Sequence, residues 1–413
     1  MKLGSVACPA ALALAALGCF DAPPRPAAQD EGHDAPGELD ADDTSVVDAV
    51  AADGGCDACA PPPCFLARAE GCAPIAALAL GSRHSCALVA DGSLWCWGSR
   101  DAGQLGDRIV MSGVSPPVRA DVPPAREVAV GDAHTCALTT SSEVWCWGRN
   151  AERQAPDPEH PDASAMANAR PSPVPLPAAA HAIAAGASTS CALLVDGRVV
   201  CWGARLDGQT VAELTPGAGT SGPEVVSTLP GPAGVSALRV GAWSGCAWTS
   251  ALSPALGATS VASGDVVRCW GDNSAGQLGL GDPVDRAEPS AISVPSRLAA
   301  LALGARHACA LVAPDALHCW GDNAEGQLAR PLGGPTDVPG EARSVGVELA
   351  AIAMGDAVGC ALDRDGVVRC WGRGQDGVLG VDASGSRIHP APVSGVPASP
   401  HIAVGRRHAC AGT

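Results

Sequence analysis

The chain has 413 residues, 47% of them hydrophobic, and its 50 glycines and 36 prolines make up about a fifth of it. That mixture excludes collagen and wholesale disorder and favours a turn-rich all-β fold with enough apolar residues for a core. A formal net charge of −17 argues against nucleic-acid or anionic-membrane partners bound through a basic surface, and a single lysine, Lys2, leaves lysine chemistry out of a mature protein.

Residues 1–19, MKLGSVACPAALALAALGC, join a basic start to an apolar run from Ala10 to Leu17. This is the pattern of an export leader, too short to span a bilayer. The ending Ala16-Leu17-Gly18-Cys19 is similar to a bacterial lipoprotein signal, which implies a lipid on Cys19. Ala16 stands where that family has leucine, and plain secretion after cleavage nearby is the alternative. Residues 20–58 read as an acidic tether, because eleven acidic residues from Asp21 to Ala58 face only Arg25, a composition that cannot offset its ordering entropy. Residues 59–73 are a cysteine-rich lead-in, and residues 74–413 read as one folded unit. No second apolar run of spanning length follows, so a lipid is the sole membrane attachment expected.

From residue 74 onward the chain repeats itself. A glycine stands five residues before a Cys-Ala pair seven times, at Gly81/Cys86, Gly131/Cys136, Gly186/Cys191, Gly241/Cys246, Gly304/Cys309, Gly355/Cys360 and Gly405/Cys410. A Cys-Trp-Gly triplet follows in six of these units, at Cys96, Cys146, Cys201, Cys269, Cys319 and Cys370. Successive first cysteines are 50, 55, 55, 63, 51 and 50 residues apart. A period near fifty with short β segments is the mark of a β-propeller.

The first unit shows how the cysteines meet. Ala77 to Leu80 form one strand, His84 to Val89 the next, and Ala90-Asp91-Gly92 suits a three-residue hairpin loop. Counting outward from Asp91 sets Cys86 opposite Cys96. The same offset pairs Cys136 with Cys146, Cys191 with Cys201, Cys309 with Cys319 and Cys360 with Cys370, whereas Cys246 and Cys269 enclose a hairpin extended by thirteen residues. In an exported chain these pairs read as cross-strand disulfides, each worth roughly 2–3 kcal/mol. Free thiols and zinc are the alternatives, and zinc lacks its close Cys-x-x-Cys ligand pairs here. Cys56 and Cys59 do have that spacing, yet beside the tether a structural bridge is the better reading. With Cys8 cleaved off and Cys19 lipidated, an odd cysteine is left over. Pro116 to Val118 supply a fourth, outer strand, where proline is tolerated.

Gly304-Ala-Arg-His307-Ala-Cys309-Ala-Leu311, followed by His318-Cys319-Trp320-Gly321-Asp-Asn323-Ala-Glu-Gly326-Gln327-Leu328, resembles the repeat of the regulator of chromosome condensation family, and the resemblance spans about Pro74 to Thr413. It implies a seven-bladed β-propeller. Six complete units precede His401 to Thr413, which carries two strand segments, so the expectation is a closing blade shared by both chain ends. Pro61 to Ala69 would return its missing strands, with Cys64 facing Cys410. The family's nucleotide exchange on a nuclear GTPase and its nucleosome binding do not follow from fold, and they suit neither an exported chain nor one without a basic patch. The resemblance also reaches secreted bacterial proteins, including an inhibitor of β-lactamases.

No residue stands out as catalytic. Motifs for a serine nucleophile elbow, a phosphate loop and His-Glu-x-x-His zinc are all missing from the sequence, and nothing calls for a cofactor or a metal. His84, His134, His307 and His408 recur, but Thr189, Ser244 and Val358 replace them elsewhere, so packing or a strand-end hydrogen bond explains them. Trp97, Trp147, Trp202, Trp270, Trp320 and Trp371 are fixed in their triplets and read as packing between blades. Trp95, Trp145, Trp243 and Trp248 are less regular and are the candidates for recognition. Asp91-Gly92, Asp196-Gly197 and Asp365-Gly366 suit tight turns, as do Asp272-Asn273 and Asp322-Asn323, which lack an EF-hand ligand series. The segments from Glu152 to Pro177, Thr210 to Gly234 and Ala251 to Gly264 vary while the framework repeats. Together these features indicate a monomeric, lipid-anchored protein of the outer membrane or cell surface that binds an envelope or extracellular protein or ligand. An extracellular hydrolase or lyase, and an inhibitor of a secreted enzyme, are the alternatives.

Overall fold

A computed structural model describes residues 17–20, 67–68, 71–72, 74–157, 166–204, 224–228, 237–249, 266–295, 297–312, 316–342, 346–374, 378–379, 385–406 and 408–412. Each repeat unit folds as an antiparallel meander. In blade 1 the strands Ile75–Leu80, His84–Val89, Leu94–Ser99 and Val114–Arg119 run from the inside outward. The second strand is buried at every position, since both of its faces are covered by neighbouring blades. Blades 2 to 6 repeat the pattern over residues 125–173, 180–228, 237–292, 298–341 and 349–392. Prolines lie on the outer strands, as with Pro116, Pro289 and Pro390, where the missing N–H breaks no ladder and blunts an exposed edge.

The hairpin logic holds in detail. Val89 N–H donates to the Ser93 carbonyl at 2.9 Å, Gly92 takes φ +83°, and Cys86 lies opposite Cys96. Within the blades, disulfides join Cys86–Cys96, Cys136–Cys146, Cys191–Cys201, Cys246–Cys269, Cys309–Cys319 and Cys360–Cys370. The Cys246–Cys269 bridge has the same 4.1 Å Cα separation as Cys86–Cys96 despite its longer loop.

The expected seven blades are not formed. Among the described residues six sheets are four-stranded blades, and the sheet that completes the ring has three strands in the order Leu17–Phe20, Ala409–Gly412, His401–Val404. The unit that starts at His401 holds only two strand segments of the repeat, so its third strand is borrowed. The lender also differs from expectation. Among the described residues Ala67–Arg68 and Gly71–Cys72 pair with each other alone, and Cys64 lies outside them. It is Cys19 that stands across from Cys410, which is itself disulfide-bonded. The tether, Cys56, Cys59 and residues 210–223 and 251–264 also lie outside the described residues.

The inner strands touch in a closed circle, with His401–Val404 packed between Leu349–Met354 and Ile75–Leu80. Seven glycines mark the circle's tightest point. A Cβ added to Gly81 would meet the Gly131 carbonyl oxygen, one on Gly131 the Gly186 oxygen, and so on to Gly405 and the Gly81 oxygen, always closer than 3.0 Å. No larger residue fits that approach. Among the described residues no helix is long and apolar enough to cross a membrane.

Candidate functional site

The glycine circle surrounds a cavity of about 170 Å³ on the axis. Just inside the glycines the wall is apolar, with Leu80, Val130, Val240, Leu303, Met354 and Val404. Just outside them, Asp132, Ala187, Ala242, Ala305, Asp356 and Arg406 complete the lining, and each belongs to a short link between its glycine and the second strand, two residues long in the blades: Ser82-Arg83, Asp132-Ala133, Ala187-Ser188, Ala242-Trp243, Ala305-Arg306 and Asp356-Ala357. Although it follows a glycine that never varies, this pair changes around the ring, and only Asp-Ala occurs twice. The mouth is therefore where the framework stops dictating identity.

Asp132, Asp356 and Arg406 form the mouth's charged group. Arg406 Nε donates to Asp356 Oδ2 at 2.5 Å, and its Nη1 lies 3.2 Å from Asp132 Oδ2. Burial pushes the Asp132 carboxyl up, Arg406 opposes that, and nearby Asp356 reinforces it. The hydrogen bond and charge of Asp356 in turn push Arg406 up. Two carboxylates shared by one guanidinium form a satisfied ion group rather than an acid–base pair, because neither carboxylate stands apart to act on a third group.

Behind the mouth, histidines turn away from the cavity and into the joints between blades. His84 Nε2 meets Thr135 Oγ1 at 2.9 Å, His134 Nε2 meets Ser190 Oγ at 2.8 Å, and His408 Nε2 meets Ser85 Oγ at 2.8 Å. The Thr135 hydroxyl donates to the Gln104 carbonyl, so His84 Nε2 is the donor to it. Burial lowers the pKa of His84 to about 3 and of His134 to about 4, with His134, His408 and Asp101 acting on His84 as smaller influences. The neutral imidazoles of His84 and His134 are structural ties between blades. His307 is equally buried and lowered to about 4, but neither of its ring nitrogens makes a hydrogen bond of normal geometry among the described residues, although the Asp356 backbone lies near.

The repeated tryptophans also join blades. Trp147, Trp202, Trp320 and Trp371 donate their indole N–H to the carbonyls of Gln104, Gln154, Gln277 and Gln327 in the preceding unit, at 2.8 to 3.1 Å. Those glutamines sit in tight loops. Gln277 Nε2 donates to Asp272 Oδ2, and Asn273 Oδ1 accepts from Leu278 N–H, so the Asp-Asn segments spend their oxygens on turn geometry.

The four recognition candidates separate. Trp243 is 43% exposed beside the mouth, whereas Trp248 is 8% exposed and packed under Arg239, whose guanidinium carbon lies 5.7 Å from the ring centroid. Trp95 and Trp145 are half-buried on their strands, Trp95 donating to Ser93 Oγ at 3.3 Å. The sequence reading missed the mouth triad, in which Arg406 lies 50 residues from Asp356 and 274 from Asp132. It gave the histidines packing or a strand-end hydrogen bond, as the hydrogen bonds at His84, His134 and His408 bear out, but did not name their partners, although a signal was there: each Ser or Thr directly before a first cysteine answers a histidine in the preceding unit of the ring.

Comparison with known proteins agrees with this architecture. Models of the regulator of chromosome condensation (RCC1) repeat match residues 75–104, 125–154, 180–209 and 299–327, and a second such model matches 91–138 and 267–311. The Ultraviolet-B receptor UVR8 of Arabidopsis thaliana is 28% identical over 135 residues, a match that spans 32% of this chain and 31% of that protein. Prp20p of Saccharomyces cerevisiae superposes with a TM-score of 0.68 at 20% identity, covering 81% of each chain. Human WBSCR16 superposes with a TM-score of 0.67 at 20% identity, covering 82% of this chain and 87% of its own. At these identities the structural likeness concerns the fold alone.

Proposed function

We propose that this chain, which belongs to the regulator of chromosome condensation repeat family, is an exported, non-enzymatic binding module that presents the axial mouth to a protein or ligand of the cell envelope or surroundings. One observation carries the reading: residues that change from unit to unit, among them Asp132, Ala187, Ala242, Ala305, Asp356 and Arg406, converge on a single mouth directly after a glycine that repeats in every unit. A rigid scaffold with divergent contacts is how recognition surfaces are built. Trp243 and Arg306, on adjacent units at that face, are the contacts with the most to give, since exposed tryptophan and arginine are the usual anchors of an interface.

Several features favour binding over the hydrolase or lyase alternative. Both mouth carboxylates are engaged by Arg406, and the histidines face the joints. Inhibition of a secreted enzyme is a special case of binding, separated from it by stoichiometric loss of that enzyme's activity. Guanine-nucleotide exchange has no support from fold likeness.

Export is supported by the leader and by the disulfide pairs of the blades, which need an oxidising compartment. A lipid on Cys19 would place the module at the outer membrane or cell surface. That anchor and a bridge to Cys410 compete for one sulfur, because the register sets Cys19 across from Cys410. The intact mass of the exported protein, before and after reduction, separates the two.

The function is tested with photo-crosslinking residues placed on intact cells at position 243 and, as a control, at the exposed outer-strand position 288. Capture of an envelope or extracellular partner from 243 and not from 288 is the expected result. Equal capture from both positions, or none from either, would overturn the proposal.

A further inference from the structure

The histidine joints do not fall at random around the ring. Matching each second-strand lead residue to the residue before the first cysteine of the next unit gives seven pairings. Three are histidine with a hydroxyl: His408 with Ser85, His84 with Thr135, and His134 with Ser190. In the other four, the second member is Gly245, Ala308, Gly359 or Ala409, none of which carries a hydrogen-bonding side chain. The three bonded joints are consecutive, and they begin where the chain's last sheet meets its first blade.

That location has a physical reason. Successive blades are joined by short connections, but the repeat strands of the closing sheet meet blade 1 across 323 residues of sequence, and the chain ties that sheet to blade 1 only through its added strand Leu17–Phe20 and the long stretch before Ile75, so the contact must offset the entropy of closing a long loop. The closing sheet is also smaller than any blade, with three strands against four. A second set of contacts spans the same joint. Arg406 N–H donates to the Gly81 carbonyl at 3.3 Å, and its side chain reaches past blade 1 to Asp132 of blade 2.

We infer that His408–Ser85, His84–Thr135 and His134–Ser190 act together as a ring latch, a continuous run of interblade hydrogen bonds that holds the closing sheet shut and stiffens the two blades that receive it. The reach of Arg406 to blade 2 explains why the run extends beyond the closing joint. The latch load is shared by blades 1 to 3, and a slack joint inside that arc would let Asp132 move away.

Hydrogen–deuterium exchange on the full-length oxidised protein tests this. Ser85→Ala should speed exchange about tenfold at the inner-strand amides of His401–Val404 and Ile75–Leu80, because it removes the hydroxyl that ties the buried His408 imidazole to blade 1. Ser244→Ala, the same change at an unlatched joint facing Ala308, should alter exchange less than twofold anywhere. Ser85→Thr keeps the hydroxyl and should restore wild-type exchange, which guards against a folding defect in the alanine variant. Equal effects of Ser85→Ala and Ser244→Ala, acceleration spread evenly around the ring, or failure of Ser85→Thr to restore exchange would each overturn the latch.

Discussion

The two halves of the ring share one framework and differ in how they are fastened. From the closing sheet through blade 3, buried histidines bond to hydroxyls in the neighbouring blade. From blade 4 through blade 6 the equivalent joints are lined by small residues, and His307, the one histidine that leads a second strand there, faces Gly359. Gly359 has no room for a hydroxyl, since a Cβ on it would collide with the Trp371 ring. Both halves keep the glycine circle, the disulfides and the tryptophan-to-glutamine bonds. The comparison separates what every blade needs to exist from what one arc needs to stay closed.

The largest effect is expected where the halves are alike. Gly186→Ala and Gly304→Ala each drive a Cβ into a neighbouring backbone oxygen and should prevent assembly of the ring, with losses above about 4 kcal/mol. Size-exclusion chromatography and circular dichroism check this, and a folded Gly186→Ala protein would show that the close approach can relax.

Acidification should come next. The unfolded histidines take up protons near their ordinary pKa of about 6.5, while His84, His134 and His307 resist to about 3 or 4, so the unfolded state binds more protons between those limits. Stability is full above pH 6.5 and falls as the pH drops toward 4, by several kcal/mol on the order-of-magnitude scale of such shifts. Denaturant midpoints at pH 7 and pH 4 measure it. A flat profile would mean that these imidazoles are protonated without cost.

Removing one disulfide from each half, Cys136 and Cys146 to serine or Cys309 and Cys319 to serine, should cost roughly 2–3 kcal/mol in either case, because the closed loops are equally long. Unequal losses would break the claim of a common framework.

The sharpest contrast is His134→Leu against His307→Leu. The first takes the imidazole from Ser190, leaving its hydroxyl only the Cys136 sulfur at 3.4 Å, and should cost about 1–3 kcal/mol. The second removes an imidazole without a well-formed side-chain bond and should be neutral within about 1 kcal/mol, or stabilising. Similar losses would erase the distinction between the arcs. Smallest of all, Trp243→Ala should change stability by no more than about 0.5 kcal/mol while abolishing capture of a partner at the mouth.

The parts legible in the sequence were those fixed within one unit. A three-residue turn dictates which cysteines face each other, and a tryptophan beside a cysteine on a buried strand has nowhere to go but an adjacent blade, here the preceding one. The joints between units were harder to see. His84 and Thr135 are 51 residues apart, and only an alignment of the chain with itself, shifted by one unit, brings them together. The closing sheet was misread because the repeat there supplies two strands and says nothing of which segment will add a third. Trp248 looked irregular enough to be a contact, yet Arg239, a charged residue in an inner strand, covers it. The mouth triad draws on three loops whose proximity exists only once the ring has closed.

The fourth unit shows what such a stitched hairpin permits. Its bridge spans 23 residues instead of 10, yet the strands beneath stay in the common alignment, with Cys246 still opposite Cys269. A crosslink set below the tip isolates the sheet from whatever is threaded above it. Each of the bridged hairpins is therefore a socket, open to lengthening at the rim far from the axial opening, through which new surface can be acquired one blade at a time without renegotiating the wheel.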